Sequence, residues 1–218
     1  MTDICNELHF LFNKLKRYRF PFDKNELPLN GIYILFEAGE QAHGVDRIVR
    51  IGTHTGDKRL RSRLKQHFIN ENKDRSIFRK NIGRALLCKM QDSFLKQWEW
   101  NLTTRKAKEK YGHLVEFEKQ AKIEQQVTKY IQSIFSFVAF QVDNKEERLS
   151  LESKIISTVS LCDDCFPSKS WLGLKSPKAK IRESGLWLVN ELYKKPLMEN
   201  ELNKLKKLTR QSRSQKGL

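Results

Sequence analysis

A phenol, a guanidinium with an imidazole one helical turn on, and a carboxylate lie in three amphipathic segments of this 218-residue sequence. In 60–68, at roughly 100° per residue, Leu60, Leu64 and Phe68 form an apolar stripe that Arg63 and His67 border, while Arg61 and Lys65 are expected to point outward. In 146–159, Glu152 falls inside the apolar arc of Leu149, Ile155, Ile156 and Val159. A carboxylate there wants a cation: either a structural partner such as Arg63, or a metal ion. Tyr33 shares its strand face with Gly31 and Leu35, whereas Ile32, Ile34 and Phe36 take the other. A lone strand tyrosine is most often core or rim. Brought together, the three groups would suit metal-assisted phosphodiester hydrolysis, in which one group activates water and another stabilises the pentavalent phosphate.

The elements that must position them follow from periodicity and turn residues. Ile4, Leu8, Leu11, Phe12 and Leu15 predict a first helix capped by Thr2 or Asp3. Strands are expected over 30–36 and 45–52, with a loop around Gly39 and Gly44. The pattern is helical from 57 to about 133, a third strand covers 135–142, and a helix covers 145–161. A loop over 163–177 leads to helices over 182–193 and 199–210, and 211–218 is expected to fray. The fold class is therefore α/β (α+β): a small three-stranded, mainly antiparallel sheet flanked by helices. The expected organisation is an N-terminal helix over 1–27, a core over 28–177 with a helical insertion at about 70–133, and a C-terminal helical extension with a basic tail over 178–218.

Forty-two Lys and Arg against 26 Asp and Glu give a formal charge of +16, which points to a polyanion. Residues 57–110 alone carry 16 basic and 6 acidic side chains. On a helix over 76–87 with Ile77, Phe78, Ile82 and Leu86 inward, Arg79, Lys80 and Arg84 are expected outward or near the active face, to contact phosphates. Trp98, Trp100 and Tyr111 read as core before they read as base-stacking platforms. The longest apolar run, 135–140, falls far short of the roughly 20 residues of a membrane span. The N-terminus lacks the basic and apolar regions of a signal peptide, so a cytoplasmic protein without membrane contact is expected. Cys162 and Cys165 form a single CxxC pair, and a four-ligand zinc site would have to recruit Cys5, Cys88 or a distant His; reduced thiols are the expectation.

Gly31-Ile32-Tyr33, then Arg50-Ile51-Gly52, then Arg63 with His67 and later Glu152 resembles the GIY-YIG nuclease superfamily over roughly 28–173. The resemblance implies a DNA endonuclease, with RNA left open. Tyr33 would be the general base at the attacking water, Arg63 would sit on the scissile phosphate, and His67 would stand beside the nucleophile. Glu152 would hold one Mg²⁺, which Mn²⁺ may replace, with water and phosphate oxygen at its other positions. In-line attack would leave a 5′-phosphate and a 3′-hydroxyl. Two departures stand out. Arg50 occupies the place of a second Tyr and cannot accept a proton, though it can stabilise phosphate charge. The loop over 166–173 carries no Asn, leaving Ser170 or Ser168 for the polar contact. The absence of a separate recognition domain resembles the restriction or phage-defence branch, and cutting both strands with one active site invites a homodimer. The rival reading is a non-catalytic nucleic-acid binder on a degenerate nuclease core.

Overall fold

The computed structural model describes residues 2–214, and its architecture is α+β. The elements run α1 (Thr2–Asn13), β1 (Tyr18–Arg19), β2 (Gly31–Ala42), β3 (Val45–Gly52), α2 (Leu60–Phe68) and α3 (Ile77–Lys89). Then come α4 (Leu95–Trp98), α5 (Arg105–Tyr111), α6 (Phe117–Ile134), β4 (Phe135–Gln141), α7 (Lys145–Ser160), α8 (Ala179–Ser184) and α9 (Glu199–Ser214). The strands form one antiparallel sheet in the order β1-β4-β2-β3, so the three expected strands gain a two-residue fourth at the edge.

Strand alternation sends the two faces of β2 into different cores. Ile32, Ile34 and Phe36 pack with Leu8 and Phe12 of α1, Ile155 and Val159 of α7, and Leu202 and Leu205 of α9. Tyr33 and Leu35 pack with Leu60, Leu64 and Phe68 of α2, Phe78 and Ile82 of α3, and Val127 and Ile131 of α6. The helical stretch between β3 and β4 thus covers one face of the sheet, and Trp98 is buried within that core.

Three expectations of local structure change. β2 continues to Ala42 through a bulge, and His43 (φ 53°) with Gly44 (φ 75°) makes a two-residue hairpin turn of the kind that suits strand twist. The helix expected over 182–193 ends at Gly185, whose left-handed φ of 67° caps α8. The chain then runs beside the sheet, with Trp187 N–H donating to Val49 O at 2.8 Å. Helix α9 carries on to Ser214 rather than fraying from 211, and 215–218 lie outside the described residues.

The outward placement of the α3 cations is overturned. Ser76 caps α3 by accepting the Arg79 N–H, and the side chains that follow turn into the protein. Arg79 is fully buried and pairs with Glu124 of α6 at 2.7 Å, with further bonds to the His67 and Glu124 carbonyls. Lys80 donates to Glu99 O at 2.7 Å, and Arg84 binds the Glu99 carboxylate at 2.5 Å. Ile77, expected inward, is exposed instead. Burying a guanidinium is tolerable only with a full set of acceptors, which α6, the His67 carbonyl, Asn81 and Glu99 just past α4 provide. Arg79→Ala strands Glu124 in the core and is expected to cost about 3–5 kcal/mol in urea unfolding, whereas Lys65→Ala, on the exposed face of α2, is expected to change stability by less than about 0.5 kcal/mol.

Candidate active site

Two glycines bring the signature residues into contact. A Cβ at Gly31 would meet Phe140 O at 2.1 Å, so only glycine lets β2 approach β4 there. Across the other edge, Tyr33 pairs with Gly52, and a Cβ at Gly52 would lie 2.2 Å from the Tyr33 hydroxyl. The phenol therefore lies directly against the end of β3. The next residue, Thr53, donates its N–H to Glu152 Oε1 at 2.9 Å. The Gly52–Thr53 backbone thus joins the phenol to the carboxylate.

Tyr33 is fully buried, and its hydroxyl meets His67 Nε2 at 2.7 Å. His67 Nδ1 in turn lies 2.7 Å from Ser76 Oγ, the atom that caps α3. These distances admit the arrangement in which Tyr33 donates to Nε2 and Nδ1–H donates to Ser76. This needs a neutral imidazole. Burial, helped by the positive charges of Arg63, Arg50 and Arg79, holds His67 well below its usual 6.5. Both Arg63 and His67 sit on α2 as its periodicity predicts, but His67 faces the core and not the cleft.

The cleft beside this relay has a volume of ≈ 420 Å³ and includes Arg50, Arg63, Asn81, Glu152, Asn190 and Glu191 in its lining. A second cleft, ≈ 430 Å³, runs past His54, Arg59, Ser62 and Gln66 and shares Arg63. Tyr33 and His67 line neither. Alternation along β3 puts Arg50 opposite Leu35, on the Tyr33 face, and a bulge follows, in which Phe36 pairs with Ile48 and Val49 is the extra residue. Arg50 donates to Trp187 O, yet its Nε has no partner among the described residues, and neither does Asn81 Nδ2. Unpaired buried donors in a cleft wall suit an anion.

Glu152 forms no ion pair among the described residues, so the Arg–Glu structural pairing considered from its position is not what holds it. Arg63 instead donates to Gln66 and to Arg75 O, each at 3.2 Å. Burial raises the Glu152 carboxyl above its usual 4.5, opposed by Arg50 and the Thr53 N–H. Glu191, also in the lining, is bound to Ser153 and Lys194. Glu152 is therefore the cleft carboxylate free to offer an oxygen to a hard ion such as Mg²⁺, whose remaining positions water and phosphate can fill.

The other expected contacts fall elsewhere. Ser168 donates to Glu40, and Ser170 meets Ser168 at 3.1 Å, so neither lines the cleft. Asn190 and Asn81 stand there, and neither was signalled: Asn190 lies in the segment that reads as helix, and Asn81 on a helix face that reads as ordinary. Arg61 does not point free into solvent, because it ties down Leu27 O at 2.7 and 2.9 Å and Asn25 O at 3.1 Å. Lys65 is exposed as expected. Trp100 stacks on Tyr111 with ring centres 5.1 Å apart. Elsewhere, Cys5, His9, His43 and Cys165 bring their donor atoms within 4.8 Å of one another, a group competent to hold a metal and sharing no residue with the cleft. No described helix is long and apolar enough to cross a membrane.

Among known proteins, a family model described as "GIY-YIG domain" matches residues 5–215. No curated protein and no solved structure matches the chain.

The depressed His67 pKa couples to folding. Unfolding releases the imidazole to its usual 6.5, so below that pH the unfolded chain takes up a proton that the folded chain refuses. Stability is expected to be flat near pH 7–8 and to fall as pH drops through about 6.5. His67→Gln is expected to flatten that decline in a series of thermal melts against pH, at the cost of a lower Tm throughout.

Proposed function

The chain belongs to the GIY-YIG domain family, whose function is nuclease-type, and we propose that it is a metal-dependent endonuclease that hydrolyses DNA phosphodiester bonds in the cleft between β3, α2 and α7. The observation that carries this reading is the gathering of one unpaired carboxylate, Glu152, with Arg50 and Arg63 in a single cleft, beside a buried phenol–imidazole relay. A helix face that buries a carboxylate without an ion pair is costly for a scaffold and useful for a catalyst.

Arg63 stands where the two clefts meet and holds the scissile phosphate, with Arg50 stabilising the charge that builds on its oxygens. Glu152 would hold the divalent ion, which when bound polarises the phosphate and helps shed the leaving oxygen. A water attacks phosphorus in line with the 3′-oxygen. Its proton would pass to the Tyr33 oxygen once bound DNA lets water reach the buried phenol, while the phenol proton shifts to His67 Nε2. This makes a short-lived imidazolium that burial and the neighbouring arginines drive to give its proton up to solvent. The imidazolium formed keeps its Nδ1–H on Ser76. The bond to the 3′-oxygen breaks, leaving a 5′-phosphate and a 3′-hydroxyl that takes its proton from solvent. Arg50 takes no part in proton transfer, because a guanidinium does not deprotonate in this range.

The test uses plasmid DNA and a matched RNA, with Mg²⁺, with Mn²⁺ and with chelator. Wild type is expected to cut DNA only with metal. Glu152→Ala and Tyr33→Phe are expected to lower the rate at least about 10²-fold. Affinity is expected to stay within a few-fold, because phosphate contacts dominate binding. Binding without cleavage of any substrate would make the protein a nucleic-acid binder on a nuclease scaffold. A wild-type rate from Glu152→Ala would remove the metal assignment. Arg59→Ala in the lining of the second cleft and Lys65→Ala on the exposed face of α2 are each expected to weaken binding to all sequences alike and to reduce the salt slope by about one.

A further inference from the structure

We propose that Cys5, His43, Cys162 and Cys165 bind one structural Zn²⁺ that ties α1, the β2–β3 turn and the exit of α7 together. The four residues come from three distant stretches of chain and meet within one core. Cys5 Sγ lies 3.4 Å from Cys165 Sγ, and His43 Nε2 lies 3.3 Å from Cys165 Sγ and 3.5 Å from Cys162 Sγ. Zinc–sulfur bonds of about 2.3 Å and zinc–nitrogen bonds of about 2.0 Å make a tetrahedron with edges of roughly 3.5–3.8 Å, close to these separations. The sulfur–sulfur separation is far beyond the roughly 2.05 Å of a disulfide.

The surroundings fit a thiolate cage. The Asp164 N–H donates to Cys162 Sγ, and Cys165 N–H donates to Cys162 O at 3.3 Å, so the CxxC segment is folded into a tight turn that aims both sulfurs one way. His43 occupies a left-handed turn position, uncommon for a residue with a side chain, and its ring lies over His9 with centroids 4.9 Å apart. His9, and not Cys162, stands with Cys5, His43 and Cys165 in the group whose donor atoms lie within 4.8 Å of one another. Both its nitrogens are engaged, however, Nδ1–H donating to Cys5 O at 2.9 Å and Nε2 accepting the Ile48 N–H at 3.2 Å. His9 therefore walls the site and is not the fourth ligand, which leaves Cys162, 3.5 Å from His43 Nε2, to complete the set. Three soft sulfurs and an imidazole select zinc over magnesium, so this site is chemically separate from Glu152. On binding, the three thiols release their protons to solvent.

The experiment uses the full chain, purified under reducing conditions and dialysed free of loose metal, with bound metal measured by mass spectrometry. About one zinc per chain is expected. Replacement with Co²⁺ is expected to give tetrahedral visible bands and sulfur-to-cobalt absorption in the near ultraviolet. Cys162→Ser and His43→Gln are expected to lower zinc occupancy about tenfold or more, while His9→Gln and Cys88→Ser retain it. A strong chelator is expected to lower the Tm of the wild type, a readout that needs no variant to fold and no nuclease activity. Wild type refolded with zinc that holds less than about 0.1 ion per chain would overturn the proposal. So would a Cys5–Cys165 disulfide in the unreduced protein, or loss of zinc from His9→Gln with retention in Cys162→Ser.

Discussion

The hydrogen bond between the Tyr33 hydroxyl and His67 Nε2, 2.7 Å long and sealed from solvent, is the constraint on which the site depends. It spans a strand and a helix, so the register of β2 and the rotation of α2 must both be right for it to form. Gly52 has no side chain because the phenol fills that space. Ser76 serves two masters, capping α3 and fixing the far nitrogen of the imidazole. A protonated His67 would face Arg63, Arg50 and Arg79 without a counter-ion at hand, and burial excludes it further. The pair is thus kept neutral at rest by the fold itself, and the imidazole can hold the phenol's proton only in passing.

The large positive charge divides between work inside and work outside. Arg79, Arg84 and Lys80 are spent on Glu124, Glu99 and backbone carbonyls, where they lock α3 to α4 and α6. Arg47 does the same with Glu40 at 2.5 Å. Along the two clefts that meet at Arg63 the cations are Arg50, Arg63 and Arg59, and Lys65 is exposed on α2. Basic composition alone therefore overstates the binding surface of a protein that uses arginine as internal scaffolding.

Much of this was legible in the sequence. Alternation in 31–36 assigns Tyr33 to the opposite face from Ile32 and Ile34, and helical spacing places Arg63 and His67 at the border of one apolar stripe and Glu152 inside another. Those patterns are local, and local patterns survive folding. The errors came where a distant element decides. Arg79 reads as a solvated cation until α6, 45 residues later, supplies Glu124. Residues 186–191 read as helix until Gly185 and the open edge of β3 draw them out straight, and with them Asn190 enters the cleft. The CxxC pair looked isolated because its partners, Cys5 and His43, lie more than a hundred residues upstream.

The measurement that bears most directly on the account is nitrogen NMR of the His67 ring in the intact protein between pH 5.5 and 8. A neutral imidazole is expected at pH 7, protonated on Nδ1 and bare on Nε2, with that state persisting well below pH 6.5. An imidazolium at pH 7, or a proton on Nε2 in the neutral ring, would contradict it, since neither form can receive the phenol's proton.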